Sequence, residues 1–183
     1  LRVGYLKSSF DGDYAFKTQD SMALETMKKM GYELIPIELP ESPNLRPILT
    51  AESAAAFDEL TRSGRDELLV RQDQGAWPVT FRVARFTPAV EYLQANRLRV
   101  LLIAEMDKVM QNIDVYLNPS FGSPSMGITN YTGHPCVVVP NGFIEGSPTS
   151  ITFSGKLFGE AELLKVAKDF QDATDFHKKH PEL

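Results

Sequence analysis

Apolar positions change their period several times along the chain, and each change marks an element. Residues 3–6 form a short apolar run that gives way to a polar stretch with Asp11, Gly12 and Asp13, the pattern of a parallel strand and its exit loop. Over residues 18–30, Ala23, Met27 and Met30 recur at spacings of three and four, and Gly31 stands where a helix end favours a residue tolerant of positive φ. That spacing predicts a helix with a stop. Residues 33–37 read as a strand in which Pro36 argues for a sheet edge or a strand end, so the N-terminal region is a β-α-β unit.

The middle of the chain is helical in pattern. Leu49, Ala56, Phe57 and Leu60 share one side of a helix predicted over residues 49–62, which ends before Gly64; residues 75–78 break any continuation. Over residues 88–113, Val90, Leu93, Arg97, Leu101, Leu102, Met106, Val109 and Ile113 hold the helical period for about seven turns, the longest helix expected. Residues 114–117 form a strand cut off by Asn118-Pro119, and residues 120–127 a loop rich in Gly, Ser and Pro. Small and polar residues over 129–135 then lead into the run Cys136-Val137-Val138-Val139, read as a strand in the sheet core that Pro140 stops. A further strand is expected over residues 149–153. A C-terminal helix over residues 160–177 buries Leu163, Val166, Ala167, Phe170 and Thr174. With no internal repeat and no linker, residues 1–183 read as one α/β unit.

Composition narrows the partners. At 183 residues and 43% hydrophobic, the chain can bury a real core, which excludes disorder. A net charge of −5, with 19 scattered Lys and Arg, offers no field for nucleic acid or an anionic membrane. One cysteine cannot close an internal disulfide, and no apolar run approaches the ~18 residues that cross a bilayer, so a cytoplasmic protein is expected. Leu1 is not an initiator Met and a strand begins at once, so further sequence is expected upstream.

Five short motifs follow one another in the C-terminal half: Asp114 with Pro119 and Ser120; Thr129, Asn130, Gly133 and Pro135; Val139, Pro140, Gly142 and Phe143; Pro148, Phe153 and Gly155; and Glu160, Leu163 and Leu164. In order and spacing they resemble the C-terminal part of the amidase signature family. The resemblance covers essentially Arg2 to the end. It implies a mixed β-sheet flanked by helices, part of an enzyme that hydrolyses a carboxamide through an acyl-enzyme and needs no cofactor. It also implies that Phe121, Met126, Thr129 and Asn130 face the acyl or leaving group of the substrate, with Gly133 allowing close backbone approach and Pro135 ending a helical turn. The family's nucleophilic serine, its second serine in a cis peptide and its lysine belong to the N-terminal part, and no matching Gly/Ser-rich loop occurs in this chain. The expected partners are therefore the N-terminal portion of the same protein, a small carboxamide and, through exposed strand edges, a second copy. Two alternatives stand beside this reading: a segment of the glutamine-hydrolysing subunit of a tRNA-dependent amidotransferase, and a non-catalytic binding or assembly module.

Other chemistry-bearing residues have simpler readings. Lys7-Ser8-Ser9 has the family's residue types, but on an extended stretch neighbouring side chains point to opposite sides. His177 and His180, at i and i+3 on a helix end, read as cations near a helix C-terminus rather than as metal ligands. Cys136 reads as an inert core residue rather than the partner of His134. Asp11-Gly12-Asp13 reads as a turn, residues 122–127 lack the lysine of a phosphate loop, and Trp77 and Phe81 are core or interface aromatics.

Overall fold

Strands β1 (Val3–Leu6), β2 (Leu34–Ile37), β3 (Val115–Pro119), β4 (Cys136–Ile144) and β5 (Ser147–Gly155) form one sheet in the order β2-β1-β3-β5-β4. The structure is a computed structural model and describes residues 1–181. β1 pairs in parallel with β2 on one side and β3 on the other, while β5 is antiparallel to both β3 and β4. The parallel β1–β2 unit and the edge position of Pro36 follow the sequence expectation.

By contact density the chain falls into two compact units, Leu1–Pro40 with the residues from Ala104 onward, and Glu41–Ile103, where the sequence suggested one. The first unit holds the whole sheet and the helices α1 (Lys7–Asp11), α2 (Lys17–Lys29), α7 (Ser125–Thr132) and α8 (Glu160–Thr174). The second holds α3 (Arg46–Ala56), α4 (Asp58–Arg62) and α5 (Trp77–Ala84), and the boundary at Ile103 falls within α6 (Ala89–Met110), at 22 residues the longest helix.

One face of the sheet carries the core. Val3, Val115, Leu117, Val139, Ile151 and Phe153 point to it and meet Ala23 and Met27 of α2 and Leu163, Val166, Ala167 and Phe170 of α8. The 20/23/27 and 163/166/167/170 spacings are the apolar stripes of these two helices. Phe153 and Phe170 pack with ring centroids 5.6 Å apart. On the opposite face the register lines up Cys136, Ser154, Tyr116 and Gly4 in one row, and Val138, Thr152 and Asn118 in the next. A Cβ at Gly4 would stand 3.0 Å from Ile113 Cδ1, so close packing on this face explains a glycine in mid-strand.

Several expectations are corrected. The Cys136–Val139 run is not sheet core: β4 is an edge strand, only Val139 is buried, Val138 is 60% exposed and Cys136 is exposed. Four consecutive apolar residues hide an alternation in which Val137 and Val139 face α2 and α8 while Cys136 and Val138 face away. Pro140 does not stop the strand. β4 continues to Ile144 through an irregularity between Pro140 and Gly142, tolerated because an edge strand leaves N–H positions unpaired, and the hairpin turns at Glu145 and Gly146. The helix predicted over 49–62 is two, divided at Phe57, whose ring stacks on Phe81 at 4.8 Å. Trp77 stacks on the other side of Phe81 and is half exposed. Lys7-Ser8-Ser9 opens α1 rather than extending β1. The loop ends early, since α7 begins at Ser125. α8 ends at Thr174, so His177 lies in a separate 3-10 turn and His180 outside any helix.

Candidate functional site

From β1 the chain crosses to β2 on one side, and β3 lies on the other side of β1 with the same direction. The carboxyl ends of β1 and β3 therefore sit at the point where the strand order reverses. In open α/β sheets that crevice is where ligands bind, because the connections leaving the two strands separate there. Here the segments that leave them are α1 with its following loop, and residues 120–124 leading into α7. They meet twice: Ser9 Oγ donates to Ser123 Oγ at 3.4 Å, and the Phe16 and Phe121 rings lie 5.2 Å apart.

The four sequence-expected pocket residues fall on these segments but not all on one surface. Phe121 (60% exposed) follows β3 directly. Met126 (69% exposed) and Asn130 are four apart in α7 and share its outer face. Thr129 is corrected: it is 3% exposed, on the inner face with Ser125, Ile128 and Thr132, and its hydroxyl donates to the Ser125 carbonyl at 3.0 Å. It supports the helix rather than reaching a ligand. Gly133 is needed for its φ of 81°, which lets its N–H cap α7 on the Thr129 carbonyl at 2.8 Å. A Cβ there would meet nothing closer than Leu157 at 3.8 Å, so close approach is not its role.

The residues that could move protons are otherwise engaged. Lys7 Nζ pairs with Asp11, and the Ser8 N–H and hydroxyl both donate to the Glu38 carboxylate. Neither residue is linked to Ser9, so the three form no relay. Buried His134 places Nδ1 2.7 Å from Thr132 Oγ1. With the Thr132 proton on the Ile128 carbonyl, the ring donates through Nδ1–H, and burial lowers its pKa. Cys136 Sγ lies 3.3 Å from Ser154 Oγ and 3.7 Å from the His134 backbone oxygen, so thiol and imidazole are not paired. Among the described residues no three His, Cys, Asp or Glu gather as metal ligands, and no helix is long and apolar enough to cross a membrane.

Two buried polar groups frame the crevice from behind. Tyr116 Oη meets Ser125 Oγ at 2.8 Å, tying β3 to α7, and burial raises the phenol pKa. Asn118 donates through Nδ2 to the Pro119 carbonyl at 2.8 Å. At the opposite end of β3, Asp114 accepts from the Arg2 guanidinium (2.8 Å), the Arg2 N–H (2.9 Å) and Lys156 Nζ (2.9 Å), which hold its carboxyl well below the usual carboxylate range. Asp114 is therefore a clamp on the starts of β1 and β3, remote from the crevice. Phe16, Ser9 and Ser123 escaped the sequence reading because only the fold brings residues over a hundred positions apart together.

No protein-family model matches the chain. A glutamyl-tRNA(Gln) amidotransferase subunit from Chloroflexus aggregans is 26% identical over an alignment covering 100% of this chain and 46% of the relative. An amidase from Pseudomonas putida is 25% identical, covering 88% of this chain and 40% of its own length. The fold matches a bacterial aryl acylamidase belonging to the amidase signature enzymes with a TM-score of 0.74 and 15% identity, over 96% of this chain and 44% of that one. The chain spans less than half the length of the curated relatives it matches. With sequence relatives along its whole length and this shared fold, the chain belongs to the amidase signature family and is consistent with its C-terminal segment.

Proposed function

We propose that this chain supplies the scaffold and one wall of the substrate crevice of a carboxamide hydrolase, with the nucleophilic serine, the cis-peptide serine and the lysine carried by an N-terminal portion of the same protein outside these residues. The observation that carries this is the surface beside the β1–β3 crevice: Phe121, Met126 and Asn130 offer contact area, while Lys7, Ser8 and Ser9 are turned to Asp11, Glu38 and Ser123. Such a wall sets selectivity and makes no bonds.

A glutamine-hydrolysing component of an amidotransferase is the second reading, favoured by the relative that spans the whole chain. The Phe16–Phe121 pair and the exposed Met126 suit an apolar acyl or leaving group better than a polar glutamine side chain, which supports the amidase reading. The same reading includes a cytoplasmic location and self-association through the uncovered β4 edge when the N-terminal portion is missing.

The test is hydrolysis of an aryl amide, a peptide amide and glutamine by a polypeptide extended upstream. Turnover of the apolar amides supports the first reading, turnover of glutamine alone the second. Binding without any turnover would leave a non-catalytic module.

A further inference from the structure

Within the Glu41–Ile103 unit, α3 and α5 enclose an open cavity of about 350 Å³, within the range of small-molecule sites, lined by Arg46, Thr50, Gln74, Val79, Thr80, Val83, Ala84 and Thr87. Its chemistry is one-sided. This stretch of sequence holds eight arginines, no lysine and eight carboxylates, and most of those arginines are neutralised: Arg62, Arg65, Arg71, Arg82 and Arg85 each pair with an Asp or Glu. Arg46 pairs with none among the described residues, and no Asp or Glu lines the cavity.

The hydroxyls sort by what they can still donate. Thr50 gives its proton to the Arg46 carbonyl and Thr80 to the Ala76 carbonyl, so neither can serve an anion. The donors left are the Arg46 guanidinium, the Gln74 amide and the Thr87 hydroxyl. Val79, Val83 and Ala84 form an apolar strip along the same wall of α5. A planar guanidinium fork matches a carboxylate in a bidentate pair. A phosphate would use the fork but leave the apolar strip bare.

We propose that this cavity binds small organic carboxylates with a short apolar body, Arg46 holding the carboxylate and Val79, Val83 and Ala84 the hydrocarbon. The proposal is independent of the amidase reading, since none of its residues belongs to the β1–β3 crevice.

Ligand-observed saturation-transfer NMR on the 183-residue chain tests it with hexanoate, hexanamide, acetate and inorganic phosphate. Hexanoate, with about eight heavy atoms, is expected to bind in the millimolar range. Hexanamide, which has the shape without the charge, should bind at least tenfold more weakly, as should acetate and phosphate. Arg46→Gln and Val83→Asp change exposed positions and should each weaken hexanoate at least tenfold with the melting temperature unchanged. Equal hexanoate binding by Arg46→Gln, or phosphate binding as tightly as hexanoate, would overturn the proposal.

Discussion

Asn141 is the residue whose removal most sharply tests how the β4–β5 hairpin is held. It sits at the irregularity of β4, donates through Nδ2 to Asp20 of α2 at 2.7 Å and accepts from the Thr149 hydroxyl at 2.8 Å; all three residues are buried, Asp20 to 1% exposure. Asn141→Ala would leave a buried carboxylate and a buried hydroxyl without partners. An orphaned neutral group costs about 1–3 kcal/mol and a stranded charge more, so a loss of about 2–4 kcal/mol is expected at pH 7. For a chain of this length that is a fall of roughly 4–16 °C in Tm. Burial raises the Asp20 pKa. A carboxyl raised in the folded state adds stability below its unfolded value, near 3.8, and loses it as pH rises through the folded value, so acidification through that window relieves the stranded charge. The Asn141→Ala deficit should therefore shrink between neutral pH and pH ~4. Asp20→Asn keeps an acceptor for Asn141 without the charge, and should be at least as stable as the wild type at pH 7 and insensitive to pH in that window. Urea unfolding across pH 4–7 measures this; a cost for Asn141→Ala below about 0.5 kcal/mol, or one that does not change with pH, would refute the reasoning.

Further expectations concern the clamp, the crevice and the open edge. Asp114→Asn should cost about 1–2 kcal/mol at pH 7, the lower part of the range for charged hydrogen bonds because Arg2 and Lys156 are partly exposed. Since its pKa is depressed in the fold, wild-type stability should fall towards the mutant's as pH drops through and below 3.8. In the upstream-extended protein, Met126→Ala should shift relative kcat/KM between short and long amides by about tenfold, on the scale of ~1–3 kcal/mol per apolar contact, with Tm almost unchanged; an identical substrate profile would remove Met126 from the crevice wall. The exposed Cys136 thiol should react freely with a thiol reagent in the isolated chain, which should also sediment as more than a monomer. Adding the upstream portion in trans should slow the labelling and raise the melting temperature, and a monomer unaffected by that addition would show an autonomous domain.

Legibility from the sequence followed the strength of local periodicity. α2, α8 and the long α6 stand out because their apolar residues recur at helical spacing, and Gly31 and Gly133 mark helix ends by the positive φ they alone adopt cheaply. The Cys136–Val139 run misled because an apolar run of four does not reveal which face is covered, which depends on strand order and not on local pattern. Asp20 did carry a signal: with Ala23 and Met27 it lies on the buried stripe of α2, an acid where the period demands an apolar residue, but its partner Asn141 is 121 positions away. Likewise Phe121 and Met126 were accessible through motif order, whereas the inward turn of Thr129 depends on the phase of α7, whose start at Ser125 the Gly/Ser/Pro-rich stretch concealed.

The central claim is that these residues shape an amide-binding crevice without carrying out the chemistry. Its most direct measurement is the rate of aryl-amide hydrolysis by the purified 183-residue chain beside that of the same chain extended upstream. The account expects no turnover above background from the chain alone, and turnover from the extended protein. Hydrolysis by the isolated chain that disappears on Ser8→Ala or Ser9→Ala would contradict it and place the nucleophile in α1.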